Sequence, residues 1–338
     1  MKKTRIAFIG FQHPHIWDLV ARASAHPDIE VVACCEEDAA TRDKLSGDKR
    51  VTITHSDYPA MLAAVECDVI VVGEWFGKRG RVVIDSLRAG RHVLADKPMC
   101  TTLAEYEEIV RIATERKLTV GMMLDMRDSG VFIKVREMVR AGEIGVVQAA
   151  SLGGQHPLLP GLRASWYHEE GKHGGSINDI ALHGLDLVPW ITGLEFSRVT
   201  AAREWAVGVP ADSHFKNAGQ CMLELENGAG LMLDVSYVAP SSQGYTLPMY
   251  WRLTLWGSKG VLETSLTAKE ISLHMEGEKT GRTVPIGAPN PGGYLEAFLS
   301  EMRGESHAGL TQAEIFRASR VSLKAPETAD RNLLNVQL

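Results

Sequence analysis

The stretch that decides the fold is IAFIGFQHPHIWDLVARASAHPDIEVVACC, Ile6 to Cys35. Ile6-Ala7-Phe8-Ile9 is a short, wholly apolar run that stops at Gly10. Pro14 to Ala25 carries helical spacing of apolar residues, and Glu30 to Cys35 is a second apolar run rich in β-branched residues. The pattern predicts a strand, a helix and a second strand, with a tight turn at Gly10 in between. Outward from this unit the alternation continues: a helix over Tyr58 to Val65, a strand at Val69 to Val72, a helix from Arg79 to Ala89 closed by Gly90, a strand at His92 to Ala95, a helix from Leu103 to Arg116 and a strand at Thr119 to Gly121. Short strands with no polar face, each separated by a helix, predict a parallel sheet buried on both sides. That is an α/β fold of the doubly wound kind.

Past Gly121 the texture changes. A helix through Phe132 to Arg140 and a turn at Ala141 to Gly145 lead into strand-like segments at Val147 to Leu152, Gln220 to Leu225, Leu231 to Tyr237, Trp251 to Trp256 and Ile271 to Met275. Clusters of Gly, Pro, Asn and Ser separate them. A second, α+β domain with a large and mostly antiparallel sheet is expected over residues 123–338, following a first domain of residues 1–122. Leu231 to Tyr237 is so nearly apolar throughout that both faces of this sheet are expected to be covered, by helices on one side and a second subunit on the other.

A chain of 338 residues with 45% hydrophobic and 23% charged residues is ordinary globular material for two domains. The net charge of -6 leaves no basic track for a nucleic acid. Five cysteines without a C-x-x-C pair point to a reducing, cytoplasmic setting. No apolar run reaches the length of a membrane span, and no signal peptide is expected.

Three stretches carry chemistry. In the first, Gly10-Phe11-Gln12-His13-Pro14-His15 stands where a dinucleotide-binding turn reads G-x-G-x-x-G, so Gln12 and His15 replace the second and third glycines. The N-terminus of the following helix remains available to a pyrophosphate, and His13 and His15 add possible donors. Glu36, Glu37 and Asp38 follow the second strand, and Glu36 is the best placed to accept hydrogen bonds from an adenosine ribose. A carboxylate there disfavours a 2′-phosphate, which favours NAD over NADP. The plain alternative is a strand–helix turn in which His15 merely packs.

The second stretch is Gly90-Arg91-His92-Val93-Leu94-Ala95-Asp96-Lys97-Pro98. Lys97 leaves the carboxyl end of a buried parallel strand and is expected in the crevice where such sheets bind ligands, with Asp96 as a counter-ion. The third is GGSINDIALHGLDLVPWITG, Gly174 to Gly193, read as one helix with Ser176 as N-cap, a bend at Pro189 and Gly193 closing it. Asp179, His183 and Asp186 fall on one stripe of this apolar helix, a pattern suited to proton handling.

Taken together, GRHVLADKP, AGEIG and GGSINDIALHGLDLVPWITG resemble the Gfo/Idh/MocA oxidoreductases, whose strand-end lysine and D-x-x-x-H pair match Lys97, Asp179 and His183. The resemblance implies an NAD(P)-binding Rossmann domain followed by a substrate domain that often mediates oligomerisation, here as a homodimer or homotetramer. It implies hydride transfer between NAD and a secondary hydroxyl of a sugar, cyclitol or related polyol, with Lys97, Asp179 and His183 as catalytic residues. Cofactor contacts are expected from Gly10, Phe11, Gln12, His13, Glu36, Trp75, Asp96 and Lys97, and substrate contacts from Arg163, Trp166, His168 and Asp179. Gly121 to Met126 replaces the family's usual G-H-N-x-R-F, and Glu74-Trp75-Phe76 its T-P-N. Two other readings stay open: a non-catalytic sensor of the same fold, and a metal-dependent lyase or isomerase using His156, His168, His173 and His183 with Asp179 or Glu169. No H-x-x-x-H or H-E-x-x-H spacing supports the last, and no metal site is expected.

Overall fold

The computed structural model describes residues 3–338, which divide into two compact units. The first takes in the chain up to Met123 together with Gly171–His173 and Tyr294–Phe316; the second takes in Leu124–Glu170, Gly174–Gly293 and Arg317–Leu338. Two segments expected in the second domain therefore fold with the first.

In the first unit, β1 (Thr4–Ile9), β2 (Ile29–Cys35), β3 (Val69–Val72), β4 (His92–Ala95) and β5 (Val120–Met122) form one parallel sheet in the order β2-β1-β3-β4-β5. Helices α1 (Ile16–Ala25), α2 (Ala39–Leu45), α3 (Tyr58–Ala64), α4 (Phe76–Arg88) and α5 (Leu103–Arg116) alternate with the strands. All four residues of β3 are buried, as expected of a strand covered on both faces. The strand order reverses between β1 and β3, so the crevice beyond their carboxyl ends is where a fold of this kind receives ligands. Helix α5 starts at Thr102, whose hydroxyl accepts from the Glu105 amide at 3.2 Å while Glu105 accepts from the Thr102 hydroxyl at 3.1 Å. It ends at Lys117 in the left-handed region, φ 55°. These are local signals, and this helix has the boundaries that its spacing predicts.

In the second unit, α6 (Gly130–Arg140) precedes a nine-stranded sheet. Its strands are β6 (Val147–Pro157), β7 (Phe196–Trp205), β8 (Ala218–Leu225), β9 (Gly230–Ala239), β10 (Arg252–Gly257), β11 (Gly260–Thr264), β12 (Glu270–Met275), β13 (Arg282–Pro285) and β14 (Val336–Gln337), in the order β13-β12-β11-β10-β6-β9-β8-β7-β14. All neighbours are antiparallel except β6 and β9. Helix α7 (Leu182–Thr192) belongs to this unit, whereas α8 (Gly293–Met302) and α9 (Gln312–Asp330) are each divided between the two units.

Burial along β9 alternates, so one of its faces is covered within the chain and the other is open. Leu231, Leu233 and Val235 are buried, but Met232 is 61% exposed and Val238 54% exposed. Met222, opposite Met232 in the register, is 50% exposed. The apolar residues at successive positions are thus an inward aliphatic row and an outward methionine row. Among the described residues no helix is long and apolar enough to cross a membrane.

Candidate active site

In the first unit the site grows from the ends of β1, β3 and β4. Gly10, φ +82°, takes a backbone conformation that L side chains rarely adopt, and a Cβ there would stand 2.6 Å from Glu74. This one glycine of the fingerprint is required by the turn itself. The Phe11 amide donates to Glu36 Oε2 at 2.7 Å and the Asp38 amide to Glu36 Oε1 at 2.8 Å, and Glu36 is fully buried. The carboxylate expected at a ribose therefore ties the turn after β1 to the end of β2. Glu37 pairs with Lys78 at 2.6 Å, and Asp38 caps α2 by accepting from the Thr41 amide. Phe11 packs its ring near Phe8 and Trp17.

His13 is buried and its Nδ1 lies 2.5 Å from Asp96 Oδ2. Burial pushes the His13 imidazole down to about 3, against the attraction of Asp96. Burial alone would raise the Asp96 carboxyl, but Arg79 and His13 outweigh it and hold it well below the usual carboxylate range. The contact is thus a neutral imidazole N–H donating to a carboxylate, and the charge on Asp96 is balanced by Arg79. That guanidinium, fully buried, donates from Nη2 to Asp96 Oδ2 at 2.6 Å, from Nη1 to the carbonyls of Lys97 and Pro98, and from Nε to the carbonyl of Glu74 at 2.7 Å. One side chain clamps the loops after β3 and β4 together. Lys97 itself is 4% exposed. Asp96, read as the counter-ion of Lys97, takes Arg79 and His13. Arg79 carries no motif, and only its complete burial marks it.

The turn keeps part of what a pyrophosphate needs. Among the described residues the Gln12 and His15 amides donate to no acceptor in the chain, and His15 is the N-cap of α1 without a side-chain cap, so amide donors remain there for a pyrophosphate. Trp75 precedes α4, with the Lys172 ammonium 5.2 Å from its ring centre.

In the second unit the candidate site lies on a helix whose first turn is distorted. Gly174 and Gly175 adopt φ of +83° and +88°, and a Cβ on Gly175 would lie 2.6 Å from the Glu204 carboxylate. Glu204 Oε1 accepts from the Ile177 amide at 2.7 Å and so caps the segment in place of Ser176, whose hydroxyl donates to the Lys216 carbonyl. Burial pushes the Glu204 carboxyl up to about 7. Ile177–Ala181 then forms one π-helical turn before α7, a distortion frequent at functional sites. The π turn runs directly into α7, so the expected single helix forms with a distorted start, and α7 closes at Gly193, φ +79°.

The three stripe residues are 1%, 5% and 3% exposed for Asp179, His183 and Asp186, but they have different fates. The Tyr237 hydroxyl donates to Asp179 Oδ2. The His183 ring meets Trp251 edge to face at 5.2 Å. Asp186 is held on both oxygens by Arg127, at 2.8 and 2.6 Å, in a buried bidentate pair. Asp186 is thus committed to Arg127. Of the expected substrate residues, Arg163 donates to the carbonyls of Pro157 and Leu158 and lies 4.4 Å from the Tyr237 ring centre and 4.9 Å from that of Tyr167. Trp166 stacks on Tyr167 at 4.1 Å, and His168 shares a hydrogen bond with Ser213 at 2.8 Å. Arg163 therefore supports Tyr237, which supports Asp179. The inward parity of Tyr237 with Leu231, Leu233 and Val235 was the sequence signal for it. Arg127 had none.

The histidines of the metal-dependent alternative are shared between the two units. His173 lies in the first unit, against Phe76, and His156 sits in the second among Tyr237, Tyr245, Tyr250 and Trp251.

The first unit has the parallel sheet and topological switch point of ligand-binding α/β folds, and the second carries an acid and an imidazole on one helical stripe. Residues 4–124 match the oxidoreductase family with the NAD-binding Rossmann fold and residues 132–263 match the GFO/IDH/MocA C-terminal domain; the chain belongs to this family. It is similar to the inositol 2-dehydrogenase of Rhizobium meliloti, 22% identical over 316 residues that cover 93% of this chain and 91% of that one. An uncharacterised oxidoreductase of Schizosaccharomyces pombe is 25% identical over 182 residues, which is 54% of this chain; the match spans about half, 49%, of that relative's length. Among solved structures, an inositol dehydrogenase homologue from Azotobacter vinelandii complexed with NAD+ superposes with a TM-score of 0.79 at 18% identity, covering 100% of this chain and 98% of that one.

Proposed function

We propose that the protein catalyses hydride transfer between NAD and a secondary hydroxyl of a sugar, cyclitol or related polyol. The observation that carries the reading is the Asp179–His183 pair on a distorted, buried helix, with Tyr237 donating to Asp179. His183 accepts the hydroxyl proton, imidazole being the side chain that titrates nearest neutral pH. Lys97 donates a hydrogen bond to the same oxygen and steadies the negative charge that develops there. Asp179, fixed by Tyr237, binds a neighbouring hydroxyl and orients the imidazole. The Gln12 and His15 amides and the N-terminus of α1 hold the pyrophosphate. NAD, when bound, supplies the hydride acceptor. The polyol class is supported by the resemblance to the inositol 2-dehydrogenase, and NAD by the NAD-binding Rossmann family that the first unit matches.

Steady-state absorbance of the reduced nicotinamide, with a panel of sugars, sugar acids and inositols and with NAD or NADP, tests the reading. Turnover of at least one polyol with NAD is expected; no turnover across the panel, with NAD still bound, would favour a non-catalytic sensor. The burial of Glu36 is the specific feature on the side of that alternative, since it withholds the ribose acceptor. We further propose a cytoplasmic location, in keeping with five free, buried cysteines. We also propose assembly of two or four copies over the open face of the large sheet, where Met222, Met232 and Trp256 are exposed. Sedimentation of a Met232→Lys variant, expected to run as smaller species than the parent, checks the assembly.

A further inference from the structure

We propose that His13, His15 and Asp96 form a binding site for one divalent transition-metal ion of the zinc, cobalt or manganese class. One ligand atom of each lies within 4.8 Å of the other two, and they are the only such group among the described residues. The sequence places them on two loops: an H-x-H pair after β1 and an aspartate at the end of β4. Parallel neighbours in the sheet bring those strand ends to one side.

The distances suit coordination. His15 Nδ1 lies 3.5 Å from Asp96 Oδ1, and His13 Nδ1 lies 2.5 Å from Oδ2, with the two imidazole rings edge to face at 4.5 Å. Donors around a four-coordinate ion with bonds of about 2.0 to 2.2 Å stand roughly 3.3 Å apart, so a small opening at His13 completes the set. The second observation is Asp96 Oδ1. It is buried, in a side chain of 0% exposure, and accepts no hydrogen bond. A buried carboxylate oxygen without a donor is costly, and an ion beside it would relieve that cost.

The surroundings behave as an outer shell. Arg79 grips Asp96 by Oδ2 and fixes the carboxylate against carbonyls of two loops, which leaves Oδ1 to face His15. Phe76 closes over His13 with ring centres 5.0 Å apart. His15, with 42% of its side chain exposed, is the wet edge. Two imidazoles and one carboxylate favour a borderline transition metal over calcium or magnesium, and three protein ligands leave a position for water or for a phosphate oxygen. An ion there would add positive charge beside the N-terminus of α1, which the reaction proposed above assigns to the pyrophosphate. The site itself does not depend on that reaction.

The test uses the untagged full chain, stripped with a chelator, dialysed against zinc or cobalt without nucleotide or polyol, and measured by elemental analysis and by competition with a metal-binding dye. One ion per chain is expected, with a visible absorption band for the cobalt form. His15→Ala, at the solvent edge, should keep the parent's circular dichroism and weaken binding at least about tenfold, the loss that removal of even an outer-shell partner brings. His274→Ala, on β12, should bind like the parent. Absence of a stoichiometric ion in the parent, or equal affinity in His15→Ala, would overturn the proposal and leave a hydrogen-bonded cluster that replaces the missing glycines.

Discussion

The strand-end cluster of the first unit and the helix-centred cluster of the second solve the same problem in different ways. Each buries an aspartate against an arginine, Asp96 with Arg79 and Asp186 with Arg127. In the first unit the arginine also grips main-chain carbonyls, so the ion pair ties the loops after β3 and β4 together. In the second the pair is bidentate and stands one turn beyond His183, while Asp179, proposed to act with His183, is held by Tyr237 and through it by Arg163. Polar bonding therefore builds the site in one region, whereas in the other it steadies a site built by a helix.

The largest effect that separates the two concerns turnover. His183→Asn should lower kcat by about 10²- to 10⁴-fold while leaving the affinity for NAD within a few-fold; rapid kinetics and NAD titration read the two quantities separately. Unchanged turnover would remove the imidazole from the mechanism.

Stability sharpens the comparison next. Arg79→Ala leaves Asp96 buried without its cation and strips three carbonyls of their donor, and Arg127→Ala removes the guanidinium that holds both oxygens of buried Asp186; each should cost about 3 to 5 kcal/mol. Chemical denaturation measures the losses. Arg79→Lys, able to make one contact in place of four, should recover less than Arg127→Lys. Equal recovery would erase the distinction between a loop clamp and a simple pair.

A smaller change is expected from Tyr237→Phe. Removing a hydroxyl that donates to the Asp179 carboxylate should destabilise the fold by about 1.5 to 3 kcal/mol, read from the denaturation midpoint at constant m-value.

The smallest is a pH effect confined to the second unit. The Glu204 carboxyl is raised from 4.5 to about 7, so between those values the folded chain holds a proton that the unfolded chain has released. Stability should therefore be fullest below pH 4.5 as far as this group is concerned, and fall as pH rises toward 7. In Glu204→Gln the thermal midpoint should lose that part of its pH dependence, while an unaltered slope would assign it to other groups.

Much of this architecture was readable in the chain. The apolar strands at Val69–Val72 and His92–Ala95 and the helix at Leu103–Arg116 appear within the boundaries that their spacing predicts, because buried parallel strands and capped helices are specified locally. Asp179 and His183 were legible for the same reason: four residues of one helix turn set their spacing. The weaker segments were not. Strands Phe196–Trp205 and Gly260–Thr264 carry polar and half-buried residues whose pairing with neighbours, rather than their own pattern, makes them strands.

What the sequence determined by itself is the alternation of strands and helices in the first unit, the Gly10 turn and the spacing of the acid–imidazole stripe, all written in patterns of a few residues. Tertiary structure alone decided the roles of Arg79, Arg127, Tyr237 and Glu204, turned Glu36 inward and brought His13 and His15 to Asp96. The physical reason is burial. A buried charge or hydroxyl must be matched by a partner in space, and these partners come from 25 residues away for Phe11 and Glu36 and 83 for His13 and Asp96. No local pattern in the chain encodes such a meeting.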